Sequence, residues 1–81
     1  MSRGQIIVLV KKEDETRVSG AKVDVLRNGF VIATGLTDSE GMITFTDIAD
    51  GAYSVKVGTQ TQPGFMTNGE DCYHTFIMPV T

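Results

Sequence analysis

Hydrophobic residues alternate with polar ones along most of this chain, and the period is two rather than 3.6. No stretch carries a sustained helical stripe, and β-branched residues recur throughout, so the pattern predicts strands. The first runs Gln5 to Lys12, with Ile6, Val8 and Val10 on one face and Ile7 and Leu9 on the other. An apolar run of this kind suits a strand covered at least partly on both sides. The charged loop Glu13 to Gly20 ends it. A second strand, Ala21 to Arg27, alternates Ala21, Val23 and Val25 with Lys22 and Asp24. Asn28-Gly29 follows, a pair that tolerates positive φ and makes a two-residue hairpin turn, so the third strand, Phe30 to Thr37, pairs antiparallel with the second.

Asp38 to Gly41 form the next turn. The fourth strand is predicted at Met42 to Thr46, with Ile43 and Phe45 inward. Asp47 to Gly51 read as a turn, and Ala52 to Val57 as a fifth strand with Tyr53, Val55 and Val57 on its inner face. Gly58 to Asp71 is polar and holds Pro63, Gly64 and Gly69, so it reads as the longest irregular segment and the natural place for a functional loop. Within it Phe65 and Met66 either stand exposed or fold back on the core. A last strand, Cys72 to Val80, sets Cys72, His74, Phe76 and Met78 on one face and Tyr73, Thr75 and Ile77 on the other. Pro79 near its end suits an edge, where a missing donor costs least. Short strands closed by frequent turns predict an all-β, antiparallel sandwich of six to seven strands.

The chain has 81 residues, which fits a single domain spanning 1–81. Its net charge of −3 is spread over interspersed signs, and the densest run, Lys11 to Arg17, is mixed. That pattern does not suit nucleic acid or an anionic membrane, which call for a clustered basic face. Cys72 stands alone, so no intrachain disulfide is available and stability rests on packing. The apolar run Ile6 to Val10 is too short for a signal-peptide core or a membrane span. If Met1 is the native start, the chain is made in the cytoplasm; if it is trimmed from a surface protein, that inference does not hold.

Three stretches carry a family resemblance. Gly20-Ala21-Lys22-Val23-Asp24-Val25 is similar to the GA-x-V-x-V strand of carboxypeptidase-regulatory-like domains. Thr37-Asp38-Ser39-Glu40-Gly41-Met42-Ile43-Thr44-Phe45 resembles their TD-x-x-G-x-F-x-F hairpin, and Ile48 to Val55 their L-x-x-G-x-Y-x-V step. The match covers roughly residues 5 to 57. It implies a transthyretin-like (prealbumin-like), immunoglobulin-like sandwich, a generic scaffold found in accessory, stalk and adhesin-like modules. The residues that carry it are fold residues: a buried Phe45, a Tyr53 whose hydroxyl finds a partner, and Gly41 and Gly51 where a Cβ would clash.

Catalysis needs a nucleophile beside a base. His74 and Cys72 share a strand face but stand roughly 7 Å apart, too far for a hydrogen bond. Cys72, His74 and Met78, with Met42 or Met66, hint at a copper site, yet such sites use two histidines and this chain has one. Asp38, Glu40, Asp47 and Asp50 in turns are candidate calcium ligands without EF-hand spacing. Some related adhesin domains join a first-strand Lys to a last-strand Asn; Lys11 and Lys12 are present, but Cys72 to Thr81 holds no Asn or Asp. The transthyretin-like hydrolase of purine breakdown uses several His and Arg residues and a C-terminal motif absent from Met78-Pro79-Val80-Thr81. The expectation is therefore no enzyme, no cofactor and no metal, and a structural or interaction module whose partner is a protein or its own copies. Such a module suits a phage virion as a decoration or tail accessory protein. The alternatives are a stalk or carbohydrate-binding or protein-binding module of a bacterial surface protein, and a small metal-binding protein. Phe65, Met66, Asn68 and Tyr73 are the candidate interaction residues.

Overall fold

The computed structural model describes residues 3–79; the predicted reach of the last strand to Val80 lies outside them. Seven strands form two sheets: β1 (Arg3–Lys12), β2 (Lys22–Arg27), β3 (Phe30–Leu36), β4 (Met42–Ala49), β5 (Gly51–Val57), β6 (Gln60–Met66) and β7 (Asp71–Met78). One sheet has the order β4-β1-β7, the other β3-β2-β5-β6. Inner faces meet in a core of Ile6, Val8, Val10, Val23, Val25, Phe45, Ile48, Tyr53, Val55, Val57, Met66 and Phe76. β1, with Ile6, Val8 and Val10 fully buried and Ile7 and Leu9 half-buried, is the middle strand of its sheet.

Three sequence expectations are corrected. The segment Gly58 to Asp71 is not an irregular loop, because it contains β6, paired antiparallel with β5 from Val57↔Gln60 to Gly51↔Met66. Gln60, Gln62 and Gly64 occupy inward positions where hydrophobic residues would normally mark a strand. Gly64 sits there because the Tyr53 ring lies across it, and any Cβ would strike that ring. Next, β4 does not stop at Thr46. Its register against β1 slips between Gly4↔Ile48 and Ile6↔Phe45, and Asp47 takes φ 59. This bulge absorbs one residue, so Ile48 returns to the core face and the strand continues to Ala49.

The third correction follows from the first. Every connection reverses the chain, so strands an even number of steps apart run the same way. With seven strands the last is parallel to the first, and β1 and β7 pair in parallel from Gln5↔Asp71 to Lys12↔Met78. The seven strands lie within the six to seven that the sequence predicts, and the parallel β1–β7 ladder is the departure from an antiparallel arrangement.

The turn motifs have physical roles. Asn28 and Gly29 adopt φ 53 and 82, the two-residue hairpin the sequence predicts. Thr37 is buried; its hydroxyl donates to the Val18 carbonyl at 2.6 Å and accepts from the Ala21 amide at 2.9 Å, tying a loop to the end of β3. The Asp38 carboxylate accepts from the amides of Glu40 (2.8 Å) and Met42 (3.1 Å), closing its own turn. Gly41, at φ 73, passes so close to the Val10 carbonyl that a side chain has no room.

Two stability predictions follow from this packing. Phe76→Ala empties a fully buried site and should cost about 3–5 kcal/mol, as should Phe45→Ala. Thr37→Val leaves the Val18 carbonyl and the Ala21 amide without their side-chain partner and should cost roughly 1–3 kcal/mol. Urea unfolding read by tyrosine fluorescence and circular dichroism measures all three; a change under about 0.5 kcal/mol in Phe76→Ala would place that ring outside the core.

Candidate functional site

The four predicted interaction residues do not form one patch. Phe65 projects from the outer face of the four-stranded sheet and is 63% exposed, whereas Tyr73 projects from the outer face of the three-stranded sheet and is 73% exposed. Met66 is fully buried, because alternation along β6 turns it into the core next to Gly4; it is withdrawn as a contact residue. Asn68 is exposed in the turn between β6 and β7, at φ 53, where the Glu70 amide donates to the Thr67 carbonyl at 3.1 Å.

A polar chain lies where the edge strands β6 and β7 face each other. Gln62 donates through Nε2 to the Thr75 carbonyl at 2.6 Å, which turns its Oε1 toward His74. His74 Nδ1 is 3.1 Å from that oxygen, so Nδ1 carries the proton. Nε2 is then an acceptor, and the Tyr53 hydroxyl donates to it at 2.7 Å. The two rings meet edge-on, with centroids 5.6 Å apart. Gln60 donates to the Ile77 carbonyl at 2.9 Å, and the Cys72 thiol approaches the Phe65 carbonyl at 3.8 Å. Side chains thus replace the main-chain ladder that the two edges lack. The Gly58-Thr59 pair, with Gly58 at φ 58 between Val57 and Gln60, is the available signal for the hairpin that leads into this strand.

Both His74 nitrogens are engaged, so the imidazole has no free lone pair for a metal or a substrate proton. Burial holds its pKa below the ordinary histidine value. Ionisation of Tyr53 is disfavoured first by burial, then by the neighbouring Cys72 thiol and the Glu70 charge. The acidic residues weighed as calcium ligands do not converge: Asp38 and Glu40 lie at one end of β4, Asp47 and Asp50 at the other. Among the described residues no group of three or more His, Cys, Asp and Glu side chains is placed to hold a metal ion. Lys11 pairs with Glu15 at 2.8 Å, and β7 sets Ile77 and Met78 opposite Lys11 and Lys12. A shallow concavity on the outer face of the four-stranded sheet is lined by Leu26, Asn28, Ala52, Ser54, Lys56 and Thr61, without a nucleophile–base pair.

The family model described as the SpaA prealbumin-like fold domain matches residues 6–76. The chain belongs to this family. Among solved structures, the SpaA-type sandwich superimposes on BcpA, the major pilin subunit of Bacillus cereus, with a TM-score of 0.84 at 16% identity, over 94% of this chain and 29% of the pilin. A streptococcal ancillary pilin aligns with a TM-score of 0.78 at 14% identity, over 98% of this chain and 33% of that one. The 5-hydroxyisourate hydrolase of Klebsiella pneumoniae aligns with a TM-score of 0.76 at 17% identity, over 98% of this chain and 90% of the enzyme. No curated protein sequence matches. These likenesses establish the prealbumin-like fold, and the SpaA-type domain spans about a third or less of each pilin.

The His74 chain generates a pH prediction. The folded state disfavours the imidazolium, so as pH falls through the ordinary histidine range the unfolded chain takes up a proton that the folded one resists, and stability drops. The urea midpoint should fall between pH about 7.5 and about 5.5, and His74→Gln should flatten that part of the profile. An identical fall in both proteins would mean that His74 is not the group responsible.

Proposed function

We propose that this domain is a non-catalytic structural module that carries load between neighbouring parts of a bacterial surface protein. The observation behind this reading is the parallel pairing of β1 with β7. The chain enters the sandwich at the Arg3 end of β1 and leaves it at the Met78 end of β7, which lies beside Lys12 at the far end of the same ladder. A module built this way stacks end to end with its neighbours. Tension applied through its two ends pulls β1 and β7 lengthwise past one another, so their hydrogen bonds resist together rather than one at a time.

The pilin likenesses support this setting. They favour a surface protein over the phage virion. The hydrolase shares the fold, but here the one histidine is held between Tyr53 and Gln62. Protein contacts, including contacts between copies, are the interactions such a module uses. Phe65, Asn68 and Tyr73 are the exposed residues it offers near the β6–β7 turn, and the two aromatic rings are the surfaces on which a sugar would stack.

Single-molecule force spectroscopy tests the reading. The domain pulled through its two ends should unfold at a clearly higher force than when pulled through residue 13 and its C-terminal end, a geometry that unzips β7 from β1. Equal forces, or a lower force in the end-to-end geometry, would refute the load-bearing role. Incubation with 5-hydroxyisourate should give the buffer rate of hydrolysis; a rate that saturates with substrate would refute the non-catalytic reading.

A further inference from the structure

A sandwich of two open sheets has four edge strands, here β4, β7, β3 and β6. An unguarded edge is a template for another strand, and proteins guard edges with proline, charge, bulges or capping side chains. On β7, the outward carbonyls of Thr75 and Ile77 are occupied by Gln62 and Gln60. On β6, Pro63 removes a donor and the Cys72 thiol points at the Phe65 carbonyl. On β4, the Met42 amide donates to the Asp38 carboxylate and the Met42 carbonyl accepts from the Asp38 amide at 3.0 Å, while Asp47 adds a bulge and a charge.

β3 has a bulge at Ile32, where Leu26↔Val31 follows Val25↔Ala33, but beyond it Ala33 to Leu36 pair regularly with β2, and its sequence, Phe-Val-Ile-Ala-Thr-Gly-Leu, holds neither a charge nor a proline. The Thr37 amide donates to the Ala21 carbonyl and the Thr37 carbonyl accepts from the Gly20 amide, so Thr37 faces β2. Alternation then sets Gly35 and Ala33 toward β2 and turns the amide and carbonyl of Thr34 and of Leu36 outward. Among the described residues nothing hydrogen-bonds those outward groups. The strand also carries Phe30, Val31, Ile32 and Leu36, exposed at 74%, 55%, 46% and 63%.

We propose that β3 is an interaction edge and that its occupant is β3 of a second copy, paired antiparallel about a two-fold axis at Gly35. A run of bare outward amides and carbonyls is a template for another strand. The segment is also complementary to itself. A two-fold at Gly35 sets Thr34 of one copy opposite Leu36 of the other, twice over, so each outward amide meets an outward carbonyl. The axis falls on a residue without a side chain, where the strands approach closely. With no charge on β3, a copy brings no like-charge repulsion to the seam. Two four-stranded sheets then become one continuous sheet, and the exposed Ile32 and Leu36 side chains are drawn toward the join. The pairing is lateral, so it does not involve the Arg3 end of β1 or the Met78 end of β7 that end-to-end neighbours would use; the proposal rests on the reading of the domain as a protein-contact module.

Sedimentation equilibrium of the purified domain over a wide concentration range tests it. The wild type should show a reversible monomer–dimer equilibrium independent of reductant. Leu36→Lys places two cations at the join and should weaken the dimer about tenfold or more, with the thermal midpoint unchanged at concentrations where both proteins are monomeric. Leu36→Gln serves the same purpose should the lysine variant fail to fold. Thr44→Lys, exposed on β4 and away from this join, should dimerise like the wild type. A wild type that stays monomeric throughout, a Leu36→Lys protein that dimerises normally, or a Thr44→Lys protein that does not, would overturn the proposal. A monomeric wild type that still resists force end to end would leave the load-bearing reading standing and remove only this edge.

Discussion

The pairing of the first strand with the last is the interaction on which the rest of the structure depends. β1 lies between β4 and β7, and its inward side chains Ile6, Val8 and Val10 are fully buried. Eight paired positions, from Gln5↔Asp71 to Lys12↔Met78, join strands from opposite ends of the sequence. With no disulfide available, this long-range ladder and the core beneath it hold the first and last strands together. The same pairing fixes the handling of the other edges. Once β7 lies beside β1, its free side faces β6, and polar side chains rather than main-chain bonds have to close the seam.

That seam explains the composition of β6. A strand with Gln60, Gln62 and Gly64 on its inner face has little apolar surface to bury. Its contribution is instead directional: two amides reach carbonyls on β7, and a glycine makes room for the Tyr53 ring, whose hydroxyl meets His74. A chain of hydrogen bonds in which each group has one possible role specifies register more sharply than a greasy contact would. It also leaves His74 committed to structure.

Much of the fold was legible in the sequence because five strands announce themselves by alternation. Val23, Val25, Tyr53, Val55 and Val57 all face the core as the pattern predicts, and Asn28-Gly29 makes the predicted turn. The family motif was legible for the same reason, since Thr37, Asp38 and Gly41 each carry a local structural duty. What escaped was set by tertiary context. Pro63 and Gly64 are loop signals in isolation, yet they serve an edge strand here. Asp47 reads as a turn residue, yet it forms a bulge within β4. β6 supplies the sixth reversal before β7, and that parity is what makes the last strand parallel to the first. The candidate interaction residues fared less well for a related reason: proximity in sequence put Phe65, Met66 and Tyr73 together, and strand alternation separated them onto two outer faces and the core.

Residue-resolved amide hydrogen exchange tests the β4-β1-β7 arrangement most directly. In this sheet the odd-numbered amides of β1 bond to β7 and the even-numbered ones to β4, as the Gln5 amide on the Glu70 carbonyl illustrates. Every amide from Ile6 to Lys11 should therefore exchange slowly, since the strand is laddered on both sides. Slow exchange at Ile6, Val8 and Val10 with rapid exchange at Ile7, Leu9 and Lys11 would mean that β7 does not pair with β1, and would contradict both the fold described here and the load-bearing role built on it.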